Sequence, residues 1–207
     1  MQFLTDFADE AVILPLIFAI GATLWLLGWR RGAIAWTGVT LTTLGAMLIL
    51  KLTMMACGPA HMPRLRTPSG HTAAAAVVAG SLAALIFRRE RCLAAMIGAV
   101  VGAAIIGTSR YMLWAHTLSE VLVASLVGIA GAVGLAWLSG TPPPRLRLAW
   151  VAVPVVVVLV AFHGDRLRAE PRIWRAAYAI SHDLGVCRGT ESWRQFHTGY
   201  PWAAGRP

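Results

Sequence analysis

Six stretches without a single charged residue punctuate this chain, at residues 11–29, 32–50, 72–87, 92–108, 121–138 and 148–162. A helix needs about 20 apolar residues to cross the hydrocarbon of a bilayer, with roughly 17–25 as the usual range. The first two stretches meet that length outright, and the next three meet it with their polar ends included. The last is shorter and contains Pro154. Lipid offers no partner to a backbone amide, so every crossing segment must be helical. Composition agrees: 57% of the 207 residues are hydrophobic and 13% charged, against about 25% charged in an ordinary soluble domain. Disorder, a collagen-like fibre and a disulfide-rich mini-domain are excluded. The expectation is an all-α integral membrane protein, with six transmembrane helices in residues 1–162 and a short extramembrane tail, 163–207.

Charge orients these helices. Lys+Arg total 18 against 9 for Asp+Glu, a net +9. In a soluble chain that excess would point to nucleic acid. Here the arginines flank apolar runs, so the expected partner is a membrane and not a nucleic acid. Arg30-Arg31, Arg88-Arg89-Glu90-Arg91 and Pro142-Pro143-Pro144-Arg145-Leu146-Arg147 join alternate spans and share one side. The positive-inside rule makes that side cytoplasmic. The N-terminal segment with Asp6, Asp9 and Glu10, the 51–71 loop, the 109–116 turn and the tail then face outward. That N-terminal segment has the wrong charge for a secretory leader. The expected location is the inner (plasma) membrane, multi-pass, with the site facing the periplasm or exterior.

Three polar segments gather on the outward side: Lys51 to Pro59, Pro68-Ser69-Gly70-His71, and Ser109-Arg110 followed by His116 and Glu120. Pro68 and Ser69 suit a helix start, and the apolar run begins directly after His71. The amides of Gly70 and its neighbours would then form an anion site, with glycine permitting close approach. Read by itself, the tetrapeptide is equally well a plain helix cap. His116 and Glu120 are four apart, the spacing of one helix face, so Glu120 can engage one ring nitrogen and leave the other free. Read alone, that pair is also an ordinary intrahelical contact. Lys51 and Arg110 supply positive charge suited to phosphate oxygens, or snorkel to headgroups.

Taken together the segments resemble the type-2 phosphatidic acid phosphatase superfamily, which shares its core with the vanadium haloperoxidases. The family's motifs run Lys-x6-Arg-Pro, Pro-Ser-Gly-His and Ser-Arg-x5-His-x3-Asp. The chain has the second in full, the third with Glu120 for Asp, and the first with Gly58 for Arg. The resemblance covers residues 51–138 and implies a four-helix catalytic core there. It implies a lipid phosphatase acting without a metal or other cofactor. His116 would attack phosphorus, Glu120 would orient it, and His71 would protonate the leaving oxygen. Lys51, Ser69, Gly70 and Arg110 would hold the phosphoryl oxygens, with Arg64 or Arg66 or a tail arginine replacing the missing clamp. The substrate would be a phosphorylated lipid: a polyprenyl (pyro)phosphate such as undecaprenyl pyrophosphate, phosphatidic acid, phosphatidylglycerophosphate or lipid A. A lipid phosphotransferase using the same histidine, and a catalytically degenerate membrane scaffold or binder, stand as alternatives.

The tail, with Trp174, Tyr178, Trp193, Phe196, Tyr200 and Trp202, is too aromatic for a flexible linker. It reads as a lid or as an interfacial anchor. Of three cysteines, Cys57 and Cys187 fall on the outward side and Cys92 by the cytoplasmic arginines. An oxidising outer compartment favours a Cys57–Cys187 bridge, which would draw the tail and Arg188 over the site.

Overall fold

A sharp reversal at Leu27–Trp29 sets the first helical pair. In the computed structural model, α2 (Glu10–Leu26) ends in the left-handed Gly28, φ 81°. The Gly28 amide donates to the Trp25 carbonyl and the Trp29 amide to Leu24, each at 3.0 Å. This is the paired closure that only glycine makes without strain. Trp29 tucks against Gly32 at the start of α3 (Arg30–Cys57), and the buried Trp36 indole donates to the Ile17 carbonyl of α2 at 2.9 Å. The structure describes the chain apart from residues 1, 58–66, 88, 145, 166, 168 and 184–207.

The remaining elements are α1 (Gln2–Asp6), α4 (Gly70–Ile86), α5 (Arg91–Met112), α6 (Leu118–Leu138), α7 (Leu148–Phe162) and α8 (Ala169–Asp183). Among the described residues every regular element is helical. By length and composition α3, α5 and α6 are long and apolar enough to cross a membrane. The apolar α2, α4 and α7 are shorter, at 17, 17 and 15 residues.

Helix α4 sits at the centre, packed against α3, α5 and α6. Its alanines let the backbones approach. Gly80 faces the Ala95 carbonyl of α5 and Ala132 of α6, and Gly128 of α6 faces the Ala73 carbonyl, with no room for a Cβ at either glycine. Small residues at such crossings suit helices in lipid, where burying apolar surface gains nothing and close packing does the work. The outward faces of α5 and α7 expose Ile97, Val100, Val101 and Ile105, and Val153, Val156, Val157 and Val160. A soluble protein would not leave such a belt bare.

Helix α2 packs on α3 and α7, α8 on α3, and α1 on α5. At one end of the bundle, Arg31 Nε donates to the Leu138 carbonyl at 2.8 Å and Arg91 Nη2 to Ser139 Oγ at 2.6 Å. Both arginines thus close the C-terminal end of α6, where a helix presents partial negative charge. The polar motif residues lie at the other end. One sequence expectation changes: Lys51 was placed where a span meets water, but α3 continues to Cys57 and holds Lys51 inside the helix, buried.

Candidate active site

The turn between α5 and α6 aims His116. The Leu113 amide donates to Ser109, Trp114 to Tyr111 and Ala115 to Arg110, closing α5 as a glycine would close it. The residue in the left-handed position is Trp114, φ 55°, which is 91% exposed. A side chain there costs about 1–2 kcal/mol relative to glycine. Two residues later His116 points inward and is buried.

Glu120 organises the centre. Thr117 caps α6: its hydroxyl accepts from the Glu120 amide at 3.4 Å, while Glu120 Oε2 accepts from the Thr117 amide at 3.1 Å. The same Oε2 lies 3.0 Å from His116 Nδ1, and Oε1 accepts from the Thr67 amide at 2.8 Å. The Glu120 carbonyl accepts from Ser69 at 3.4 Å. One residue therefore starts α6, orients the histidine and ties down the entry to α4. A carboxylate can only accept, so Nδ1 is the donor in this contact and Nε2 is the ring nitrogen that Glu120 does not engage. The sequence expectation of two residues on one helix face is corrected here: His116 precedes the cap, and Glu120 reaches back to it. Thr117-x-x-Glu120 is a capping-box signature that the sequence reading passed over.

At the head of α4 the fully buried Ser69 caps the helix, accepting from the Thr72 amide at 3.4 Å and from the Thr72 hydroxyl at 2.9 Å. Gly70 faces Lys51 and Glu10 at van der Waals distance. A Cβ there would lie 3.8 Å from Lys51 Nζ, 3.7 Å from Lys51 Cε and 3.7 Å from Glu10 Oε1. The Lys51 ammonium thus borders the amide-rich helix start. Arg110, on the last turn of α5, carries a buried Nε with no partner among the described residues, and Glu170, Glu10 and Asp9 lie within its field. A buried donor without an acceptor suits an incoming oxygen. Ser109 next to it bonds Thr5 of α1 at 3.0 Å.

Acidic residues that the sequence reading did not assign to the site surround these cations. Lys51 Nζ lies 2.6 Å from Glu170 Oε2 of α8. His71 Nε2 lies 3.6 Å from Asp9 Oδ2, and Asp9 Oδ1 accepts from Ala11 at 2.9 Å and Leu167 at 3.1 Å. Burial alone would raise the Asp9 pKa, but the His71 ring and the two amides outweigh it and hold it at about 2. Asp9 precedes an apolar run, the place of a helix cap, so a signal existed. Glu170 lies 119 residues from Lys51 and had none.

The site brings together Lys51, Ser69, Gly70, His71, Arg110, His116 and Glu120. Gly58, Arg64, Arg66, Cys187 and Arg188 lie outside the described residues. Cys57, ending α3, is disulfide-bonded, and Cys92 is a free, exposed thiol. The resemblance implies no metal, but single ligand atoms of Asp9, Glu10 and His71 come within 4.8 Å of one another, close enough to hold a cation. A groove of about 800 Å³ lies elsewhere, between α3 and α6 beside Arg31 and Leu138.

The bundle holds a carboxylate-bound imidazole, a lysine bordering a glycine-led helix start, and an arginine in the field of neighbouring acids, groups whose chemistry suits an oxyanion. The PAP2 superfamily model matches residues 56–142, and the chain belongs to that superfamily, whose membership supports a phosphatase-type activity on phosphate esters. Over 190 residues it is 30% identical to the "Uncharacterized 22.5 kDa protein in cps region" of Klebsiella pneumoniae, across 86% of this chain and 90% of that protein. No solved structure matches it significantly.

Proposed function

We propose that this chain is an integral-membrane lipid phosphatase that hydrolyses a phosphate monoester or pyrophosphate of a lipid through a phosphohistidine. His116 Nε2 attacks phosphorus, and the bond from phosphorus to the lipid oxygen breaks. His71 protonates that oxygen as it leaves. Water then attacks the phosphohistidine, the N–P bond breaks, and inorganic phosphate departs with His71 taking the water's proton. Lys51, Arg110, the Ser69 hydroxyl and the Gly70 amide neutralise the phosphoryl oxygens, the main demand of this chemistry. The carrying observation is the 3.0 Å contact from Glu120 to His116 Nδ1, which leaves Nε2 as the attacking atom.

Arg64 or Arg66 takes the place of the arginine absent at Gly58. Six helices, α2 to α7, cross the inner membrane, with α3 to α6 as the catalytic core. The site opens to the periplasm or exterior, where a headgroup meets it while its tail stays in lipid. Cys187 is the proposed partner of Cys57, which draws the tail toward the first motif.

The test is phosphate release by the purified protein from a panel of polyprenyl phosphates and diphosphates, phosphatidic acid, phosphatidylglycerophosphate and lipid A. His116→Ala should abolish release and labelling by phosphate. Wild-type rates in that variant would sink the mechanism.

A further inference from the structure

Outside the three motifs, Glu170 makes a direct ion pair with one of their cations. Glu170 stands in the first turn of α8 and lies 2.6 Å from the ammonium of Lys51, whose own side chain is 7% exposed. The Glu170 side chain is 43% exposed, so it covers the buried lysine from the solvent side. It also lies in the field of Arg110, whose buried Nε has no partner among the described residues. The two cations meant for an anion therefore already face a carboxylate of the same chain.

We propose that Glu170 is a specificity-determining residue that occupies the phosphoryl seat and admits only ligands bringing more negative charge than one carboxylate. This rests on the phosphatase reading above. A site at a bilayer surface meets phosphodiester headgroups in great excess. A diester carries one negative charge and two unesterified oxygens. Trading Glu170 for a diester exchanges one unit charge for another at Lys51, and the tethered carboxylate competes at a high effective concentration. A terminal phosphoryl group carries about −1.5 to −2 at neutral pH and three acceptor oxygens. It gains at Lys51 and engages the Arg110 Nε that Glu170 leaves unpaired. Asp9 and Glu10 add to the penalty on weak anions, since an incoming anion must outweigh them as well.

Glu170→Gln removes the competing charge and keeps the shape, and Glu170→Ala removes both. Inhibition by short-chain phosphatidylglycerol, a diester, is measured against hydrolysis of the best monoester or diphosphate lipid of the panel. Both variants should bind the diester about fivefold or more tightly than wild type, with a smaller fall in KM for the substrate. A fall in kcat with diester inhibition unchanged would overturn the proposal and make Glu170 a support for Lys51. Calorimetry of short-chain phosphatidylglycerol and phosphatidic acid binding to His116→Ala, with and without Glu170→Gln, reads the same discrimination without turnover. If no lipid is hydrolysed the phosphatase reading fails by itself, and an unchanged diester-to-monoester ratio in calorimetry overturns the charge filter.

Discussion

Replacing Glu120 by the aspartate usual at that place in the resembled motif should damage this protein. Aspartate keeps the charge but is one methylene shorter. In the structure Oε2 serves two donors, the Thr117 amide at 3.1 Å and His116 Nδ1 at 3.0 Å, while Oε1 takes the Thr67 amide at 2.8 Å. A retracted carboxylate cannot keep all three. Losing the reciprocal cap costs about 1 kcal/mol, and leaving the buried Thr67 amide unpaired costs about 1–3 kcal/mol. The sum, about 2–4 kcal/mol, falls on the two segments that carry His116 and Ser69. A shift of the imidazole by about 1 Å would lower kcat on the order of 10²-fold. Glu120→Gln makes the contrast. It keeps the reach and an oxygen for Thr67, but its amide can donate to Nδ1, which moves the ring proton to Nε2 and disables the nucleophile. That tautomer error cost about 10⁴-fold in a serine protease triad.

The assay pairs kcat on the best panel lipid with the thermal inactivation midpoint in detergent. Glu120→Asp should lower both, and Glu120→Gln should lower kcat more and the midpoint less. An aspartate variant with the midpoint and kcat of the wild type would refute the reasoning, since the extra methylene would then have no structural work.

Gly70→Ala should fold normally, because the added Cβ meets Lys51 and Glu10 only at van der Waals distance. It stands where an anion would approach, so phosphate inhibition should weaken about tenfold. Trp114→Gly should raise the thermal midpoint by relieving about 1–2 kcal/mol of left-handed strain, and weaken retention in vesicles, as read by flotation. Asp9 contributes stability that is fully present above its ordinary pKa of 3.8 and is lost as pH falls through about 2. Asp9→Asn should therefore flatten the fall in melting temperature between pH 4 and 2, and an unchanged slope would count against the Asp9 contacts. Peptide mapping without reductant should recover Cys57 joined to Cys187, and a free thiol at Cys187 would remove the proposed pairing.

What the sequence disclosed depended on how local each signal was. Apolar runs mark α2 to α7 because lipid leaves helices as the one solution, and Ser69 and Gly70 announce the start of α4 by capping chemistry that acts within four residues. His116, Glu120 and Arg110 were legible through motif spacing. Their geometry was not, since the i, i+4 spacing suggests a shared helix face and the capping box gives a different path to the same contact. Lys51 was read at a boundary because charge normally ends a span. Its burial rests on Glu170, a residue brought near only when α8 packs on α3. Asp9 acts on His71 across a similar gap. Contacts between distant segments carry no periodicity, so Glu170 had no signal in the sequence and Asp9 had one only as the cap of α2.

The division of labour follows from this. The segment matched to the superfamily, residues 56–142, holds Ser69, Gly70, His71, Arg110, His116 and Glu120, while Lys51 lies just before it. Such a set binds any oxyanion, because lysine, arginine and helix amides respond to charge and not to the rest of the ligand. Discrimination has to come from groups that an incoming anion must outcompete or avoid. Glu10 borders Gly70, Asp9 faces His71, and Glu170 faces Lys51, and none of the three belongs to the matched segment. On the proposed mechanism, changes confined to the acids at the N-terminal end of α2 and in α8 should alter KM and inhibitor ratios, whereas changes at His116 or Glu120 should lower kcat.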